Sequence, residues 1–141
     1  MGVTGTNEAR VIRTMMFRAR HHYWRGAWSD EENRRVFGEQ CEPHPHDWRV
    51  EFHVAGPIDE TTGWAVDLTE LDAELARLLA GWGGGDLNDV VPAVASGAMT
   101  PSTENLARWL FERLGERVSA PVRVVEVRVF ESPELGSGYP G

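Results

Sequence analysis

The 141-residue chain predicts an α+β fold: an antiparallel sheet of about four strands with two helices packed on one face. Three observations predict it. Two stretches, from about Ala9 to Tyr23 and from Asp47 to Ala55, alternate apolar and polar residues as half-buried strands do. Two later stretches, opening at Asp67 and near Thr100, repeat leucines at helical spacing behind capping residues. A last alternating stretch, Val122 to Glu131, returns the chain to the sheet. Strands flanking a helix pair make a two-layer arrangement in which one sheet face takes the helices.

In the first strand, Phe17, Ala19 and His21 share one face, and Arg18, Arg20 and His22 the other. The arginine face is the solvated one, so His21 points inward and His22 reads as a surface residue. Tyr23 to Gln40 has no clear period and reads as loop. A short helix starts there at Asp30, behind the N-cap chemistry of Ser29-Asp30-Glu31-Glu32. In the second strand Trp48, Val50, Phe52 and Val54 make the apolar face. His53 falls on the polar face with Arg49 and Glu51 and is not counted as a ligand. Gly56-Pro57 and Asp59 to Gly63 mark turns, and Trp64-Ala65-Val66 pairs as a short strand.

Asp67-Leu68-Thr69-Glu70 is a capping signature. Leu68, Leu71, Leu75, Leu78, Leu79 and Trp82 form the buried stripe of the first main helix, which Gly81 and Gly83-Gly84-Gly85 end. The second opens near Thr100-Pro101-Ser102-Thr103-Glu104 with proline in its first turn, and Leu106, Trp109, Leu110 and Leu114 form its stripe. On the last strand Val125, Val127, Val129 and Glu131 share a face. Strands this long leave edges that invite pairing with another subunit.

Composition sets bounds. The length fits a single domain, residues 1–141, with no repeat or linker to divide it. A net charge of −8 argues against a nucleic-acid binder that neutralises phosphates. The one cysteine, Cys41, excludes an intramolecular disulfide and fits a reducing cytoplasm. No apolar run is long enough to span a bilayer, and Met1 to Asn7 lacks the features of a signal peptide. All 14 basic residues are arginine, a coding bias read as that of a high-GC bacterial genome.

The chemistry concentrates at Cys41-Glu42-Pro43-His44-Pro45-His46. His44 and His46 are two apart and run into a strand, so their imidazoles share a face. That is half of a metal site. A third imidazole from another strand, with one position left open, gives the three-histidine pattern of a catalytic zinc. Paired histidines also decorate loops, and nothing in the spacing alone decides between the two.

Six segments in order carry a resemblance that covers nearly the whole chain. They are Phe17 with His21; Cys41 ahead of His44 and His46; Asp59 to Leu68; Asp86-Leu87-Asn88-Asp89; Pro101 to Ala107; and Val127 to Ser132. Together they resemble the 6-pyruvoyl-tetrahydropterin synthases and the related bacterial 6-carboxy-tetrahydropterin synthases. The resemblance implies a tunnelling fold, a four-stranded antiparallel sheet with two helices on one side. Trimers of it close into a barrel and pair into a hexamer, with active sites between subunits. It implies zinc on His21, His44 and His46, and proton transfer by Cys41. It implies that Glu131 holds the guanidine-like edge of a pterin. The implied substrate is 7,8-dihydroneopterin triphosphate, which loses its triphosphate.

The residues themselves leave narrower alternatives open. Glu131 also reads as a strand-end surface acid and Cys41 as a buried structural thiol. Thr103 and Glu104 are substrate-pocket candidates, although Glu104 also suits the helix dipole. The chain departs from the family at two places. Gly83 and Gly84 stand where the family carries an Asp-His pair. Cys41 stands one residue closer to His44 than in the 6-carboxy branch, and Pro45 replaces the usual glycine between the histidines, fixing φ and removing an N–H. With metal and pterin anchor kept, the losses read as a repurposed zinc-dependent lyase or cyclase. The other reading is a non-catalytic, zinc-stabilised oligomer that binds a pterin- or purine-like ligand or a partner protein.

Overall fold

The computed structural model describes residues 7–141. Residues 1–6, and with them most of the stretch read for a signal peptide, lie outside the described residues. Four antiparallel strands form one sheet in the order β1 (Glu8–His21), β2 (His44–Pro57), β3 (Arg123–Ser132) and β4 (Leu135–Tyr139). β1 and β2 pair along their whole length, from Glu8 opposite Pro57 to His21 opposite His44. Parity fixes that register: a slip of one residue would turn Trp48, Val50, Phe52 and Val54 out of the core. These four are almost wholly buried, with Val127 and Val129 of β3 beside them.

One face of the sheet takes the helices. α1 (Asp30–Phe37) is capped by Ser29, whose Oγ accepts from the Glu32 amide. α2 (Leu68–Leu78) is capped by Asp67, and Arg13 of β1 binds its Asp72 through two bonds of 2.8 and 3.1 Å. Two single turns, α3 (Leu87–Val90) and α4 (Pro92–Ala95), precede α5 (Thr103–Gly115). Leu71 and Leu75 of α2 meet Leu106, Leu110 and Leu114 of α5 in one apolar cluster over the sheet.

Five readings of the sequence are corrected. Trp64-Ala65-Val66 is not a strand; β2 has a neighbour on each side, so the stretch closes a turn instead, the Asp59 amide donating to the Trp64 carbonyl. Leu68 opens α2 on its exposed side. Pro101 precedes the N-cap of α5, Ser102, rather than entering the first turn. The pairing shifts between His53 and Val54, so Val124 and not Val125 continues the buried side of β3. His22 is half-buried, its backbone clamped at both ends by the Asn88 side chain.

β4 escaped the sequence reading because Gly136 and Gly138 interrupt its alternation. Both face the side without helices, where a Cβ would overlap the Phe130 ring or the Glu126 carboxylate. No helix among the described residues is long and apolar enough to cross a membrane.

Candidate metal centre

The β1–β2 register delivers three imidazoles to one point. His21 ends β1, His44 opens β2 directly opposite, and His46 lies opposite Ala19 on the same face. Ring centroids are 4.5 Å apart for His21 and His44, and 5.0 Å for each of them and His46. One ligating atom from each lies within 4.8 Å of the other two. Trp48 forms the floor. Its ring packs 4.9 Å from His21 and 5.6 Å from His46, and its Nε1 donates to the Ala19 carbonyl at 3.0 Å.

The protons of two rings are fixed by their partners. His21 Nδ1 lies 2.9 Å from the Pro101 carbonyl, and His44 Nδ1 lies 2.8 Å from the Glu42 carbonyl. A carbonyl only accepts, so both Nδ1 atoms carry the proton and both Nε2 atoms present a lone pair. His21 Nε2 and His46 Nε2 are buried and have no hydrogen-bond partner among the described residues. Burial pushes the His21 pKa down to about 4; the Pro101 bond opposes this, and the neighbouring histidines add to it. Burial also lowers His46, with Glu131 opposing. Two Nε2 lone pairs, on His21 and His44, converging with the buried, unpartnered Nε2 of His46 are what a divalent metal needs.

Glu131 faces inward, as its parity predicted, and its side chain is only 14% exposed. Its Oε2 lies 2.8 Å from His46 Nε2 and 3.5 Å from His21 Nε2. Tyr23 joins the site unannounced. Burial first, then the Glu131 and Glu104 carboxylates, push its phenol up to about 12. Its ring lies 5.4 Å from both His21 and Phe37. Period-2 counting carried two residues past His21 would have found it. At the start of α5, Thr103 Oγ1 donates to Glu104 at 3.0 Å and shares a 2.7 Å bond with Ser137 of β4, a second residue the sequence reading missed.

Cys41 does not join the cluster. It ends a 3-10 turn (Gly38–Cys41), is buried, and donates from Sγ to the Asn33 carbonyl at 3.4 Å. A cavity of about 490 Å³ opens beside the histidines, lined by Glu39, Glu42, Pro43, His44, His46 and Glu131 among others. Gly83 and Gly84 are not among the residues that line this cavity. The segment instead hydrogen-bonds the outer edge of β1, Gly84 N to Arg18 O at 2.7 Å and Arg20 N to Gly85 O at 3.0 Å.

Known proteins match the chain over nearly its whole length. The family model for 6-pyruvoyl tetrahydropterin synthase matches residues 10–140. A 6-pyruvoyl tetrahydrobiopterin synthase of Drosophila melanogaster is 32% identical over 136 residues, covering 94% of this chain and 80% of its own. That of Homo sapiens is 32% identical over 129 residues, covering 89% and 86%. The structure of Caenorhabditis elegans 6-pyruvoyl tetrahydropterin synthase superposes with a TM-score of 0.84 at 26% identity, covering 95% of this chain and 96% of that one. These relatives are animal proteins and lend no support to the bacterial source read from coding bias. With a matched model over nearly its whole length and a register that assembles the three histidines, this chain belongs to the 6-pyruvoyl tetrahydropterin synthase family.

Proposed function

We propose that the chain is a zinc-dependent lyase acting on 7,8-dihydroneopterin triphosphate or a related heterocycle, in the cytoplasm. The observation that carries the reading is the pair of buried Nε2 atoms without hydrogen bonds, on His21 and His46, that converge with His44 beside a carboxylate-lined cavity. Three nitrogen donors with room for a fourth ligand suit zinc. When bound, zinc supplies Lewis acidity toward a substrate side-chain oxygen and so acidifies the neighbouring C–H.

The chain's own residues do the rest. Glu131 accepts the paired N–H donors of a 2-amino-4-oxo ring, with Thr103 and Glu104 near that ring. Cys41 takes the carbon-bound proton as the thiolate, after its S–H hydrogen bond to the Asn33 carbonyl breaks and the thiol proton passes to solvent. As the carbon-bound proton leaves, its electron pair forms a C=C bond and triphosphate departs.

Assembly follows from the edges. Among the described residues, β1 has one full strand neighbour, and Gly84–Asp86 covers only its end near Arg20. Ile12, Met16, Trp64 and Leu68 expose apolar surface. A homo-hexamer built as two trimers fits these edges, and light scattering would read its mass. One specific pair of observations favours the non-catalytic alternative: Gly83–Gly84 in place of the Asp-His pair, and the Cys41 thiol turned onto Asn33. Incubation of zinc-loaded protein with 7,8-dihydroneopterin triphosphate separates the two. Mass spectrometry should show loss of triphosphate. Substrate bound but unchanged would leave the non-catalytic reading, and no binding would end the pterin reading.

A further inference from the structure

We propose that Glu131 is a fourth ligand of the metal centre in the substrate-free protein, and that it leaves the metal to hold the substrate ring. Only the second half rests on the pterin reading. Glu131 Oε2 lies 2.8 Å from His46 Nε2 and 3.5 Å from His21 Nε2, and neither contact is a hydrogen bond, since both nitrogens are without one. On His21 the ring proton is committed to the Pro101 carbonyl. At His21, therefore, an acceptor oxygen is held 3.5 Å from an acceptor nitrogen, largely shielded from water, and the two repel unless a cation lies between them.

The distances fit such a cation. Ligands at about 2.0–2.1 Å from a tetrahedral ion stand roughly 3.3 Å from one another, and 2.8 and 3.5 Å bracket that value. Oε2 approaches two of the three imidazoles; the soft terminal torsion of glutamate lets it turn toward the third. Charge points the same way. Among the described residues Glu131 is paired with no arginine, only with His21 and His46. A largely buried carboxylate without a cation is costly. The metal offsets that cost before substrate arrives, and the two N–H donors of the ring offset it afterwards. The carboxylate is therefore never left unpaired, and the metal's fourth position opens only when the ring is in place.

Cobalt(II) alone is the first probe. Metal-free wild type, Glu131→Gln and Glu131→Ala are titrated with Co²⁺, following the visible d–d band, with circular dichroism confirming that all three fold. Glu131→Gln and Glu131→Ala should bind Co²⁺ at least ~10–100-fold more weakly, the loss expected when a supporting partner goes, with an altered band. Wild-type affinity and band in both variants would overturn ligation. The second probe is unsubstituted pterin, which has no side-chain oxygen to offer a metal, with its binding read by fluorescence. In wild type it should shift the Co²⁺ band toward that of Glu131→Gln; bound pterin with an unchanged band would overturn the exchange. Pterin that fails to bind would remove the pterin reading, while the cobalt titrations still decide ligation.

Discussion

The sheet buries histidines on both of its faces, and the two faces treat them differently. On the face without helices, His53 is 2% exposed, and both ring nitrogens are used: Arg10 Nη1 approaches Nδ1 at 3.3 Å, and Nε2 lies 3.1 Å from Glu51 Oε1. An arginine only donates, so Nδ1 accepts and Nε2 donates to the carboxylate. Arg128 and Glu126 extend that network. On the helix face His21 is equally buried, yet its Nε2 and that of His46 have no hydrogen-bond partner. Burial alone therefore does not mark a functional histidine. An unsatisfied nitrogen aimed at others like it does.

The widest separation between the faces lies in metal content. His44→Ala should abolish stoichiometric zinc and with it all turnover. His53→Ala should keep the zinc and cost about 1–3 kcal/mol of stability, because Arg10 and Glu51 lose a buried partner. Elemental analysis of dialysed protein and thermal melts read the two effects, and full zinc occupancy in His44→Ala would erase the distinction.

Turnover sharpens the contrast within the helix face. Cys41→Ala should retain zinc and lower turnover by about 10²–10⁴-fold, the usual contribution of a positioned acid or base. Its thiol now sits on the Asn33 carbonyl, while Glu39 and Glu42 line the cavity. Steady-state rates of Cys41→Ala, Glu39→Gln and Glu42→Gln decide which group moves the proton. Wild-type turnover in Cys41→Ala would pass the role to a carboxylate.

The glycine segment along the edge of β1 gives a smaller, structural effect. A Cβ on Gly85 would overlap the Gly81 carbonyl oxygen, whereas one on Gly83 meets only the Phe17 Cβ at an ordinary 3.6 Å. Gly85→Ala should cost about 1–3 kcal/mol through backbone displacement, and Gly83→Asp within about 0.5 kcal/mol. Paired denaturant melts check this; equal losses would show that the whole loop, and not one contact, requires glycine.

Much of this was legible in the sequence because strand parity is a strict code. Phe17, Ala19 and His21, then Trp48 to Val54, placed the inner face correctly, and parity alone kept His53 out of the ligand set. Parity failed where the backbone breaks its own period. The shift beside His53 exchanged Val125 for Val124, and the glycines of β4 carried no pattern to read. The site's tertiary partners were illegible for another reason. Pro101 lies 80 residues from the His21 ring it orients, and Asn33 holds the Cys41 thiol through a main-chain carbonyl that any residue would supply.

The smallest expected effect belongs to the outer network. A hydrogen bond from Arg128, 2.8 Å away, holds the Glu126 carboxyl below its ordinary 4.5; burial opposes this, and the charges of Arg128, His53 and Arg10 add to it. A carboxyl depressed in the folded state contributes stability that is present above its unfolded pKa and lost as pH falls through the folded one. Glu126→Gln keeps the shape and removes the charge. At neutral pH it should be less stable than wild type by about 0.2–1 kcal/mol, the range for a partly exposed ion pair. That gap should narrow as pH falls below 4.5 and vanish once the wild-type carboxyl is protonated. Urea midpoints of metal-free proteins between about pH 7 and 3 test it. A gap that stays constant to the acid end would mean that Glu126 acts by filling space beside Gly138, and that the outer face, unlike the inner one, is indifferent to charge.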